Sequence, residues 1–383
     1  TTAKSKNRKM SAPTQLNMSD GPSKLKGKVL MISGCKDEQT SGDVGNVGAF
    51  GLPADVGPGG AGGACTNAMM ATFYKNDDTP DIPECDMTWA QLLVEMRTSL
   101  EEKKFSQVPQ LSASYQMHLS TKFHVKPPQA QRTKALLIGI NYVGHNVGVL
   151  SGCHNDVRVM KQFIKSQGFT EGDRMKIMMD DGSSEMPTRA NIEAAMKWLV
   201  SDVRSGDALF IHYSGHGSQV KDVSGDEKSG FDQTMVPVDY QKTGQIVDDW
   251  IFETLVQPLP EGANMFCVMD CCHSGSIMDL PFEIVVTPEL AAQVATAEAN
   301  GSLDQMVLEE NPSFLAKYKK HKGVMMKIAG AAAAGAMVGT VGGPVGMCMG
   351  CLAGITAVAC CYKDEAKELG KDVHRDVQAS RVV

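Results

Sequence analysis

Two short runs, Ala208-Leu209-Phe210-Ile211 and Met265-Phe266-Cys267-Val268-Met269, are apolar at every position. Such brief, unbroken runs suit strands buried on both faces, as in parallel sheets. Each leads directly into a segment carrying reactive groups. His212-Tyr213-Ser214-Gly215-His216-Gly217-Ser218 follows the first, and Asp270-Cys271-Cys272-His273-Ser274-Gly275 follows the second. If the two strands lie parallel and adjacent, a histidine and a cysteine meet at the carboxyl edge of one sheet. Open α/β sheets bind their ligands at that edge. A thiol beside an imidazole is the minimum equipment for a cysteine nucleophile.

The remaining pattern extends this sheet. Residues 28–33, 107–114, 134–141 and 176–179 predict further strands, with a short apolar segment at 234–238. Helices are expected over 64–74, 88–103, 153–166, 188–203 and 248–256. Thr88 is the expected cap of the second, which carries Trp89, Leu92, Leu93, Met96 and Leu100 on one face. Strands alternating with helices imply an α/β fold, a mostly parallel β-sheet with helices on both faces. Pro127-Pro128-Gln129 marks a linker at 125–133 between a first region, 27–124, and a second, 134–282. Residues 1–26 read as a flexible polar tail and 283–322 as a connector.

With 383 residues, 42% hydrophobic and 21% charged, the chain has the length for one large domain or two. A net charge of −7 and the lack of a long basic stripe argue against a nucleic-acid partner. The first thirty residues hold no apolar signal segment. Eleven cysteines without framework spacing point to a reducing, cytoplasmic setting.

Residues 324–362 carry no charge except Lys327, and their glycines recur every fourth position: Gly335, Gly339, Gly343, then Gly342, Gly346, Gly350, Gly354. That spacing lets helices approach closely. Gly342-Gly343-Pro344 divides the run into arms of about 17–18 residues, at the short limit for crossing a bilayer. The segment is expected to form a helical hairpin, either on or in a membrane or against another chain, or else covering the domain as a soluble hairpin. Cys348 and Cys351 within it have metal spacing but no second pair, so packing is the better reading. Residues 363–383 are charged and expected to be exposed.

Cys272 lies where a strand hands over to a turn, with backbone N–H groups near Cys272 and Gly217 placed to hold an oxyanion. Cys271 fits the role of a buried packing thiol. His216, between two glycines that admit a substrate backbone, is the expected acid/base. His212, inside the strand, reads as packing, and His273 is expected to point away from Cys272.

Ser214-Gly215-His216-Gly217, Asp270 to Gly275, and Leu150-Ser151-Gly152-Cys153-His154-Asn155-Asp156-Val157 resemble the motifs of metacaspases, caspase-like cysteine peptidases. This similarity spans about residues 134–280, the family's large catalytic unit. Upstream, the segment from Ile32 to Ser41, with Gly63-Ala64-Cys65-Thr66 and Pro109-Gln110-Leu111-Ser112, resembles the family's small unit. Its position before the large unit is the mark of the type III subgroup.

The resemblance implies Cys272 as nucleophile and His216 as its partner. It places Asp156 and Asp270, with Cys153 and Ser214 beside them, in an acidic specificity pocket. Two carboxylates there favour a basic side chain, Arg bidentately and Lys as a point charge. The expected partners are therefore proteins or peptides cut after Arg or Lys. Asp232, Asp248, Asp249 and Asp279 match the family's calcium positions, and carboxylate oxygens suit Ca²⁺. The family also implies a monomer. Two other readings stand beside this one: a calcium-independent, paracaspase-like peptidase, and a membrane-tethered scaffold without activity.

Overall fold

A computed structural model describes residues 25–35, 37, 42–45, 47–52, 60–74, 87–222, 230–311 and 314. The expected tails, the glycine-rich run at 324–362 and the Cys348/Cys351 pair lie outside the described residues. In chain order the strands are β1 (Lys28–Ser33), β2 (Asp43–Val44), β3 (Gly62–Gly63), β4 (Gln110–Ala113), β5 (Thr133–Gly139), β6 (Met175–Met179) and β7 (Ala208–Ser214). They continue as β8 (Gly217–Lys221), β9 (Phe231–Met235), β10 (Ile246–Val247), β11 (Asn264–Asp270), β12 (Phe282–Val285) and β13 (Glu309–Glu310). The helices are α1 (Ala64–Phe73), α2 (Trp89–Glu102), α3 (Cys153–Ser166), α4 (Arg189–Val200), α5 (Tyr240–Thr243), α6 (Asp248–Ile251) and α7 (Pro288–Asn300).

Eight strands form one sheet in the order β13-β12-β4-β1-β11-β7-β5-β6. The run β1-β11-β7-β5-β6 is parallel throughout. β4, β12 and β13 add antiparallel pairings at one edge. The sheet is therefore mostly parallel, and strands from both regions of the chain build it: β1, from the first, lies against the cysteine-bearing β11.

Both faces are covered, which explains the continuous apolar runs. Alternate residues face opposite ways. Leu137, Phe210, Phe266 and Val268 join one core with residues of α1, α2 and α3. Leu136, Ile138, Ile211, Met265, Cys267 and Met269 join the other with Ile192, Met196 and Leu199 of α4. Trp89, Phe123 and Phe266 meet edge to face in the first core.

Local signals set the helix starts. Thr88 and Gln91 form a reciprocal capping box at α2, and Thr188 and Thr287 cap α4 and α7. The expected segment at 248–256 begins as α6 and continues through a π-helical turn at Phe252–Val256. The apolar segment expected at 234–238 is only partly a strand. β9 ends at Met235 and sits with β8 and β10 in a separate three-stranded sheet beside the main one. Among the described residues no helix is long and apolar enough to cross a membrane.

Candidate active site

β7 and β11 pair in parallel with Ser214 opposite Asp270. His216 and Cys272 each follow two residues further on, so the register carries both to the same sheet edge. The segments behind them touch: a Cβ added to Gly217 would overlap the Cys272 carbonyl oxygen and lie 3.2 Å from Cys271 Sγ. Only glycine permits that approach.

The two adjacent thiols differ. Cys271 is buried, and burial pushes its thiol well above the ordinary range. Cys272 is half-buried, the one accessible thiol among the described cysteines. His273 adopts a positive φ of 53°, and its Nδ1 donates to the Asp37 carbonyl, so its ring is committed to the first region of the chain.

His216 is held on three sides. Its Nε2 lies 2.6 Å from the Gly148 carbonyl oxygen. A carbonyl only accepts, so Nε2 carries the proton in the neutral ring and Nδ1 is left as the basic nitrogen. The His216 backbone N–H donates to Tyr142 Oη at 2.9 Å, and the Tyr142 ring lies 4.6 Å from the imidazole, centre to centre. His212, by contrast, is fully buried, and desolvation drives it down to about 3, so it is a neutral packing group at pH 7.

Asp156 and Asp270 converge on the first turn of α1. Gly63 N–H donates to both oxygens of Asp156, at 2.9 and 2.8 Å, and Asn67 Nδ2 donates to one of them at 3.2 Å. Thr66 N–H donates to Asp270 Oδ2 at 2.7 Å. Ser214 Oγ donates to Asp156 Oδ2 at 2.7 Å. A helix begins with N–H groups that have no partner inside it and that favour anions; here two aspartates from the second region satisfy them. A Cβ on Gly63 would overlap Asp270 Oδ2. The carboxylates are 0% and 4% exposed. Cys153, also buried, opens α3, and its N–H donates to Asn141 Oδ1 at 3.0 Å.

Carboxylate oxygens of Asp248, Asp249 and Asp279 all lie within 4.8 Å of one another. Hard oxygen donors that converge this closely fit Ca²⁺. Asp232 is not in that group but is buried on the adjoining β9. The neighbouring Gln233 N–H donates to Asp248 Oδ2 at 2.9 Å.

Sequence reasoning passed over Asp37. Its carboxylate accepts from Ser276 N–H at 2.9 Å and Ser276 Oγ at 2.8 Å, bracing the loop just after Cys272. Ser276 Oγ also lies 2.6 Å from Gln233 Oε1. Cys35 Sγ donates to the Cys271 carbonyl at 3.3 Å from the same segment. The clue available was position: Asp37 lies inside the motif-bearing stretch that ends β1.

A family model described as metacaspase, peptidase C14 domain, matches residues 133–281. A protein named Metacaspase III c, from Phaeodactylum tricornutum, is 45% identical over 295 residues, covering 76% of this chain and 82% of that one. The chain belongs to the metacaspase family. It is thus a member of a family of cysteine peptidases, hydrolases of peptide bonds. Metacaspase-1 of Mycosarcoma maydis is 49% identical over 153 residues, 39% of this chain and 38% of that protein. Metacaspase-1 of Schizosaccharomyces pombe is 51% identical over 154 residues, 39% of this chain and 36% of that protein. In this metacaspase, the family match holds both reactive motifs, while β1, α1 and β4 lie outside it yet border the same site.

Proposed function

We propose that this chain is a calcium-dependent cysteine endopeptidase that cleaves after Arg or Lys, with its small unit ahead of its large one. The observation that carries the specificity is the convergence of Asp156 and Asp270, two buried carboxylates, beside the sheet edge that bears Cys272. Paired negative charge in a low-dielectric setting favours a cationic partner.

In this reading Nδ1 of His216 takes the Cys272 thiol proton, and the thiolate attacks the scissile carbonyl carbon, forming a C–S bond as the C=O electron pair moves onto oxygen. N–H groups near Cys272 and Gly217 hold the resulting oxyanion. His216 protonates the leaving amine as the C–N bond breaks. His216 then takes a proton from water, whose oxygen displaces Cys272 and releases the acid product. The half-buried Cys272 and the basic Nδ1 of His216 support these assignments.

Asp248, Asp249 and Asp279 would hold Ca²⁺, with Asp232 beside them. A bound cation would offset the mutual repulsion of these carboxylates. The polar contacts Asp248–Gln233, Gln233–Ser276 and Ser276–Asp37 run from this cluster to the loop after Cys272. We assign the enzyme to a reducing compartment on the strength of its free, buried thiols. It is proposed to act as a monomer on protein substrates, with residues 324–362 as a candidate membrane contact.

The test is hydrolysis of fluorogenic peptides ending in Arg, Lys or Asp, with Ca²⁺ or with chelator. Cleavage of the Arg and Lys peptides only with Ca²⁺ is the expected result. Cleavage after Asp would overturn the specificity, and activity indifferent to chelator would favour the calcium-independent alternative.

A further inference from the structure

We propose that Asp180 is a positioning residue for the His216 imidazole, acting through Tyr142. The proposal rests on the reading of His216 as the acid/base of a cysteine peptidase.

Asp180 stands just past the end of β6 and is buried. Its two oxygens accept backbone N–H bonds from Asn141 at 2.8 Å and Val143 at 2.7 Å. These amides flank Tyr142. One carboxylate therefore clamps the Ile140–Asn141 and Tyr142–Val143 peptides, which bracket Asn141 and Tyr142. Tyr142 has a φ of 56°, a conformation that a bulky side chain adopts only where its surroundings enforce it. The clamp supplies that enforcement.

The strained backbone aims the Tyr142 ring at the site. Tyr142 Oη donates to the Val236 carbonyl at 2.7 Å and accepts the His216 N–H at 2.9 Å. Past Tyr142, the loop turns back through Leu150 N–H, which donates to the Asn141 carbonyl at 3.0 Å. The Gly148 carbonyl that meets His216 Nε2 lies within this closed loop. Asp180 thus stands behind two contacts of the histidine, one to its backbone and one to its ring.

A second group fixes the clamp. His154, in the first turn of α3, places Nε2 2.6 Å from Asp180 Oδ1. Burial disfavours the charged carboxylate. The bonds from His154 and from the Val143 and Asn141 amides outweigh it, holding Asp180 below the ordinary aspartate range. Ionised, the carboxylate keeps its acceptor sites for both amides.

A purely structural brace would affect stability and leave the chemistry alone. A positioning role gives a different signature, because a small displacement of an acid/base costs turnover. The experiment measures kcat and KM on an Arg-ending fluorogenic peptide for the full chain and for Asp180→Asn, Tyr142→Phe and the double variant. Wild-type turnover, abolished in Cys272→Ala, first establishes the peptidase reading on its own. Asp180→Asn is then expected to lower kcat roughly ten- to hundredfold with KM changed less than about twofold. The double variant should be no slower than the slower single variant within about twofold, since both act along one route. Should Asp180→Asn lack a cooperative melt, His154→Gln, which leaves both amide bonds in place, is read instead. It is expected to lower kcat by a smaller factor at unchanged KM. Wild-type kcat in the folded Asp180 variant, wild-type kcat in His154→Gln where that arm is read, or losses that multiply in the double variant, would overturn the proposal.

Discussion

Ser214 stands directly opposite Asp270 where β7 and β11 pair, while its hydroxyl donates to Asp156 at 2.7 Å. The last residue of one strand thus links the two carboxylates assigned to the specificity pocket. Beyond that point both strands open into the segments that carry His216 and Cys272. A single strand register therefore positions the residues assigned to the pocket and the segments that carry His216 and Cys272, and a slip by one residue would turn Ser214 and Asp270 to the opposite face.

The same carboxylates anchor the first region of the chain through Gly63. A Cβ at this position would overlap Asp270 Oδ2 and lie 2.9 Å from Asp156 Oδ2. Gly63→Ala is expected to cost about 1–3 kcal/mol of stability by overpacking, read by thermal melting. It should also raise KM for Arg-ending substrates. Unchanged melting and unchanged KM would show that the close approach of Gly63 to the pocket is dispensable.

Asp37 should matter to turnover although it lies far from Cys272 in sequence. Removing its carboxylate leaves Ser276 N–H and Oγ without that acceptor, at about 1–3 kcal/mol for an orphaned buried group. Asp37→Ala is expected to lower both stability and kcat, and Asp37→Asn, which keeps one acceptor oxygen, to lower each by less. Equal effects of the two substitutions would count against the loop-bracing role.

His212 gives stability a pH dependence of known sign. Burial lowers it to about 3, whereas the unfolded chain takes up its proton near 6.5. Between these values the unfolded state binds more protons, so stability is lost as pH falls from about 6.5 toward 3. Urea unfolding at pH 7 and pH 5 should show a smaller loss for His212→Gln than for the native chain. Parallel losses would contradict the assignment of a neutral, buried His212.

Thr88 separates stability from catalysis. Its hydroxyl accepts Gln91 N–H at 3.2 Å, and the Gln91 side chain accepts Thr88 N–H at 2.8 Å. Thr88→Ala is expected to cost about 0.5–2 kcal/mol while kcat and KM stay at native values. A change in kcat would mean that α2 reaches the site through a route not evident in its contacts.

The central sheet was legible because its strands are buried on both faces and so carry unbroken apolar runs. β1, β7 and β11 left local signals of that kind, and Thr88 left a capping signal. β8, β12 and β13 were not foreseen: β8 is Gly-Ser-Gln-Val-Lys and β13 is two glutamates, neither apolar nor alternating. Their pairing depends on partners elsewhere in the chain. In the site, Cys272 is half-buried and the carboxylates of Asp248, Asp249 and Asp279 converge, both at positions the motifs mark in the sequence. The roles of Gly63, Asp37, Tyr142 and Asp180 were illegible because each arises from backbone amides and carbonyls brought together over long sequence separations. No residue pattern announces an amide.

The claim that Cys272 is the nucleophile activated by His216 is tested most directly by mass-spectrometric mapping after treatment with a thiol-reactive peptide ending in Arg. The expected result is a single adduct on Cys272 in the native chain, none on Cys271, and a large loss of labelling in His216→Ala. An adduct on Cys271, or full labelling of Cys272 without His216, would contradict the account.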